Sequence, residues 1–163
     1  MIKKLFLILF FLNIATSSYS AGSDSSSTTS KVKSDYDKAV ESIKFAKKFE
    51  KKGKIKKAMK RYTKAQKLLL KSNSKKPNQA DTLNYLGFTT RKLGDYENGE
   101  KYYLLGLKID PNHNGINEYL GELYVATNRM DLAKERLKVL ENCSCEEYTE
   151  LKQVIDGSKQ SKY

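Results

Sequence analysis

Long apolar runs, histidine and cysteine are all scarce in this chain, and its first third is short of negative charge. The longest apolar stretch, Leu5 to Ile14, is about ten residues, against the roughly 20 that a membrane-spanning helix needs. Lys3 and Lys4 precede it, and the small residues Ser18 and Ser20 follow it. That order reads as a secretory signal peptide over residues 1–20, cleaved before Ala21, with a periplasmic or secreted product. No cysteine stands at the cleavage point, which argues against a lipid anchor, and no later segment is apolar enough to span a bilayer. A single histidine, His113, cannot build a two-histidine site. There is no HExxH, no Gly-rich phosphate loop and no nucleophile–base pair. No catalytic residue, metal or cofactor is therefore expected, and the chain does not read as an enzyme.

Charge is unevenly spread over a chain whose net charge is +12. Residues 31–79 carry 18 basic and 4 acidic side chains, and residues 80–163 carry 11 and 14. The basic first third reads either as a solvated lysine-rich face or as a surface for an anionic partner: envelope polymer, lipid or an acidic protein. No nucleic-acid motif accompanies the charge, so no nucleic-acid partner is expected. Residues 21–34, with AGSDSSSTTS, hold too little apolar surface to offset ordering entropy and read as a disordered leader. Residues 157–163, GSKQSKY, read as a flexible tail.

Between them the sequence repeats. Tyr85-Leu86-Gly87 returns 34 residues later as Tyr119-Leu120-Gly121. In residues 80–113, Leu83, Leu86 and Thr90 share one helical face. Gly94-Asp95 supplies a helix stop and a helix start. Tyr96, Gly99, Tyr103 and Gly106 face back toward the first helix, and Pro111 ends the second. Gly87 marks a close helix crossing. Residues 114–147 repeat the scheme through Leu120, Gly121, Tyr124, Met130, Ala133, Leu137 and Leu140. Asn128 stands at the turn and Cys145 in the slot of Pro111. A weaker copy precedes them: Gly53, Ala58 and Tyr62 each lie 41 residues before Gly94, Gly99 and Tyr103. Seven extra residues, around SNSKKPN, account for the difference.

This pattern resembles the tetratricopeptide repeat (TPR) family. The resemblance implies an all-α fold of three helix–turn–helix repeats, about 39–72, 80–113 and 114–147, in a right-handed superhelical stack. A capping helix at 146–156 closes a domain of residues 35–156. The strings NYLGFTTRKLGDY, IDPNHNGINEYLGELY and CSCEEYTELKQVI further resemble small exported alphaproteobacterial TPR proteins with a paired-cysteine CEEY segment. That implies a periplasmic interaction protein.

In such folds the first helix of each pair lines a concave groove, and the resemblance implies that it binds a protein or peptide. The candidate groove residues are Lys44, Lys47 and Lys51 from the first repeat, and Asn84, Tyr85, Phe88, Arg91 and Lys92 from the second. The third adds Glu118, Tyr119 and Glu122. Tyr and Phe beside Arg and Asn suit peptide capture. Equally, Tyr85 and Phe88 could pack between repeats. Ile43 and Tyr85 stand where a carboxylate-gripping set would need polar residues, so that specialised clamp is not supported. Glu118 and Glu122 share a face and read as surface carboxylates or, with Asp110 or His113, as a cation site. His113, at a turn, reads as a helix cap. Cys143 and Cys145 read as a structural disulfide in an oxidising compartment. A redox pair, a soft-metal site and an interchain bond stay open beside it.

Overall fold

The structure, a computed structural model, describes residues 33–160. The expected signal peptide, nearly all of the leader and the last three residues of the tail lie outside the described residues. The described residues form seven helices in order: α1 (Asp35–Glu50), α2 (Ile55–Lys75), α3 (Ala80–Lys92), α4 (Tyr96–Ile109), α5 (Asn114–Ala126), α6 (Met130–Leu140) and α7 (Glu146–Ile155). The described residues contain no strand, and the fold is all-α. Helices pack in consecutive pairs, α1 on α2, α3 on α4 and α5 on α6, and α7 packs against α5 and α6. No helix among the described residues is long and apolar enough to cross a membrane.

The turns show why the chain reverses where it does. Gly53, Gly94 and Asn128 adopt φ of 66°, 95° and 58°. Only Gly enters that left-handed region without cost, and Asn is the side chain that tolerates it best. After each, the next amide donates five residues back: Lys54 to Phe49, Asp95 to Thr90 and Arg129 to Tyr124. These bonds satisfy carbonyls that a helix end leaves unbonded. The same turn is thus built three times from residues 41 and 34 positions apart.

Starts are set by side chains. Ser34 and Asp37 cap α1 reciprocally, Ser34 Oγ accepting from the Asp37 amide and Asp37 accepting from the Ser34 amide, both at 3.1 Å. Ser34→Ala should cost about 1 kcal/mol in urea denaturation. Asp95 caps α4, accepting from the Asn98 side-chain amide at 2.8 Å and from its backbone amide at 3.1 Å, and these bonds hold the Asp95 carboxyl below its ordinary pKa. That contribution is present above the ordinary carboxylate range and is lost as pH falls through the lowered value.

The seven-residue insertion is not all linker. Ser72–Lys75 extend α2 to 21 residues, and the connection begins only at Lys76. Nothing breaks the helix before Pro77, and Lys75 and Lys71 reach Asp35 at the start of α1, at 2.7 and 3.6 Å.

The core runs between the pairs. Ala58, Tyr62, Ala65 and Leu69 of α2 meet Ala39, Ile43 and Ala46 of α1, all essentially without exposure. Tyr103 fills the space that Gly87 leaves, where an added Cβ would come within 2.5 Å of its ring. Gly121, the matching residue of the next pair, instead admits Leu151 of α7. Tyr96 and Met130, expected to face inward, are exposed, as is Ile55 at the same repeat position. Each is the first residue of its helix, at the rim of the turn, where the partner helix does not reach.

Candidate functional site

The first helices of the pairs, with α7, contribute side chains to a shared depression. Lys47 of α1, Glu118 and Tyr119 of α5, and Glu146, Glu147 and Glu150 of α7 line a hollow of about 230 Å³. A larger hollow of about 440 Å³ shares Glu118, Tyr119 and Glu147 with it and adds Asp81, Asn84 and Tyr85 of α3. The α4–α5 turn completes it through Asp110, Asn112 and His113. Residues 100 positions apart thereby face one groove.

Tyr85 and Tyr119 are the aromatic residues of its lining, and further rings pack against them. The Phe88 ring lies 5.0 Å from Tyr119 and 5.7 Å from Tyr62, and Tyr85 lies 6.0 Å from Tyr36. The Lys47 ammonium sits 4.7 Å from the Phe88 ring centre and donates to the Tyr119 hydroxyl at 3.2 Å. Burial raises the phenol pKa of Tyr119 and Tyr85, with Glu118 and Asp81 adding to it respectively. Both therefore stay protonated at neutral pH and present an O–H above an apolar ring.

The structure divides the residues expected to line the groove. Tyr85, Tyr119 and Lys47 are half-buried on its wall, while Asn84 and Glu118 are buried at its base. Lys44 and Lys51 are exposed, and neither enters these hollows. Lys92 turns away to Glu50, at 2.8 Å. Phe88, Arg91 and Glu122 are corrections: all three are interior, with exposures of 1 %, 1 % and 0 %. The reason is the stacking of α3 on α5. Arg91 donates to the Tyr119 carbonyl at 2.6 Å and faces the Glu122 carboxylate at 3.5 Å, between the rings of Phe88, Tyr103 and Tyr119. An ion pair that links two repeats is not available to a ligand. Glu122 therefore does not join Glu118 as a surface carboxylate.

Sequence reasoning missed the acidic wall. Glu146, Glu147 and Glu150 fall in what the sequence marks only as a capping helix, and Asp81 is not singled out there at all. Their signal was the acidic pair after Cys145, which becomes meaningful once α7 is known to pack against α5.

His113 caps α5: its Nδ1 accepts from the Ile116 amide at 3.2 Å, and its Nε2 lies 3.1 Å from Asp81 Oδ1. The helix pair α3–α4, the turn through Pro111 and this cap complete one structural unit.

Residues 80–113 match the tetratricopeptide repeat model. The match spans α3, α4 and the turn up to His113, so Asn84, Tyr85, Phe88 and Arg91 all lie within the matched residues. Among solved structures, the chain is similar to the first TPR of Spaghetti (RPAP3) bound to the HSP90 peptide SRMEEVD. Identity is 19%, covering 78% of this chain and 97% of that one, with a TM-score of 0.48. No curated protein matches the chain.

Cys143 and Cys145 are joined as a disulfide with Cα atoms 5.1 Å apart, around Ser144 at φ 49°. They bridge the end of α6 and the N-cap of α7, and neither lines the groove. So short a loop restrains little of the unfolded chain. Reduction should lower stability by at most about 2 kcal/mol, read as the difference between urea midpoints with and without reductant.

Proposed function

We propose that this protein is a non-enzymatic tetratricopeptide scaffold of the periplasm, which holds an extended segment of a partner protein in the groove of α1, α3, α5 and α7. The observation that carries the reading is the meeting of Tyr85 and Tyr119 with Asn84, Lys47 and Glu118 in one concave surface. Rigid aromatic area with polar atoms at its edge is what peptide-holding surfaces use. Export rests on the N-terminal segment read above, and the Cys143–Cys145 bond suits an oxidising compartment. In this reading the disulfide secures the α6–α7 junction and takes no part in chemistry.

Capture tests the groove. Crosslinking pull-down from native periplasm should recover a specific protein with the unaltered chain. Tyr85→Ala with Tyr119→Ala should recover at least tenfold less, with helix content unchanged by circular dichroism. Equal recovery by the double variant would overturn the groove reading. Phe88 is unsuited to this test because it is interior.

A second reading has its own observation. Lys56, Lys60, Lys64, Lys67 and Lys71 are exposed and recur at helical spacing on α2, opposite its buried residues Ala58, Tyr62, Ala65 and Leu69. Such a row could hold an anionic envelope polymer. Binding of a sulfated polysaccharide that fades between about 50 and 300 mM salt, and is lost in Lys60→Glu/Lys64→Glu, would support it.

A further inference from the structure

The groove runs against the charge of the chain. Its two hollows are lined by six carboxylates, Asp81, Asp110, Glu118, Glu146, Glu147 and Glu150, the last paired with Lys159, and by one lysine, Lys47, in a protein of net charge +12. The exposed row of Lys56, Lys60, Lys64, Lys67 and Lys71 lies on α2, and none of the five lines these hollows. The carboxylates are also dispersed: among the described residues, no three of the acidic and histidine side chains gather as metal ligands. Charge spread along a groove suits a string of cations rather than one ion.

A second observation is independent of charge. Asn84 is 6 % exposed, and its Oδ1 meets no hydrogen-bond donor. It lines the larger hollow beside Gly115, where an added Cβ would come within 2.8 Å of the Asn84 amide nitrogen. A buried acceptor without a donor is costly, and it lies under a wall made mostly of other acceptors. What the site lacks is N–H donors.

The groove already shows how it takes an ammonium. The Lys47 amine lies 4.7 Å from the Phe88 ring centre and 5.5 Å from that of Tyr119, within hydrogen-bond reach of the Tyr119 hydroxyl. Aromatic faces attract cations at such distances, and neighbouring carboxylates add to the attraction.

We infer that the partner segment is cationic: an extended peptide whose lysine or arginine side chains enter the α5–α7 end of the groove, while a backbone or side-chain N–H donates to Asn84. The inference rests on the groove reading and makes it more specific. It reverses the reading in which the basic first third of the chain meets an acidic partner.

The probes are three fluorescein-labelled ten-residue peptides, one Lys/Arg-rich, one Asp/Glu-rich and one Gly/Ser-rich, titrated by anisotropy with the purified full chain at about 50 mM salt. The basic peptide should bind at least tenfold more tightly than the neutral one, and the acidic peptide least. Glu146→Gln/Glu147→Gln should weaken the basic peptide about tenfold and leave the neutral one unchanged. Those side chains are exposed or half-buried, so folding should survive; Asp81→Asn, also exposed, provides a second variant. Equal binding of basic and neutral peptides, or preference for the acidic one, would overturn the cationic partner. So would the absence of any peptide binding while Tyr85→Ala/Tyr119→Ala still abolishes capture from periplasm; in that case the groove reading stands. Self-association that disappears in Lys60→Glu/Lys64→Glu would also overturn it, by making the occupant a second copy. If capture itself is insensitive to the tyrosines, both readings fall together.

Discussion

Arg91→Met should cost the fold about 3–5 kcal/mol, and Glu122→Leu should cost a similar amount. Both side chains are fully buried, in different repeats, and their charged ends face each other at 3.5 Å. Desolvation is the main influence on Arg91 and pushes its pKa below the ordinary value, while Tyr103 and Glu122 oppose the shift. Each charge is therefore tolerated only because of what surrounds it. Replacing the guanidinium by a thioether keeps much of the volume but removes the cation facing Glu122 and the donor to the Tyr119 carbonyl. The melting temperature should fall by roughly 10–20 °C. The double variant Arg91→Met/Glu122→Leu should recover much of that loss, because it leaves no lone buried charge. Urea denaturation of the four proteins gives the coupling. Strictly additive losses would mean that the two side chains do not act as a pair.

Gly87→Val should be nearly as damaging, for a steric reason. A Cβ at position 87 would lie 2.5–2.8 Å from three ring atoms of Tyr103, a residue with no exposure. Overpacking of this kind costs about 1–3 kcal/mol for small additions, and a branched side chain belongs at or above the upper end. Gly87→Ala should cost less, since Ala regains up to about 1 kcal/mol of helix propensity. Tyr103→Leu should partly rescue both variants, although it destabilises the parent. Gly53→Ala provides the contrast. Nothing lies within 4 Å of its Cβ position, so only the φ of 66° is penalised, by about 1–2 kcal/mol. Thermal denaturation distinguishes these cases. Rescue of Gly53→Ala by Tyr103→Leu would contradict the steric account.

Local sequence carried the architecture because local physics sets it. Gly94 and Asn128 announce a helix end through a backbone conformation that few residues adopt, and Asp95 announces a start through its side-chain oxygen. Tyr103 opposite Gly87 is legible for the same reason: a large ring needs a missing side chain, and both lie within one helix pair. Failures begin where a residue's surroundings come from another repeat. Phe88 and Arg91 sit on the first helix of their pair, where a groove residue would, yet α5 covers them. Ile55, Tyr96 and Met130 look like core residues by pattern and are exposed, because the rim of a turn has no neighbour.

The sequence by itself determined that this chain forms paired helices and where the turns at Gly53, Gly94 and Asn128 fall. Those properties depend on contacts within about one turn of helix and on backbone preferences of single residues. Only the tertiary structure decided that Arg91 and Glu122 form an interior pair, and that the groove is acidic although the chain is basic. Both outcomes depend on which faces of α1, α3, α5 and α7 meet. That meeting is set by the angle at which successive pairs stack, a quantity to which every interface contributes and which no single segment encodes.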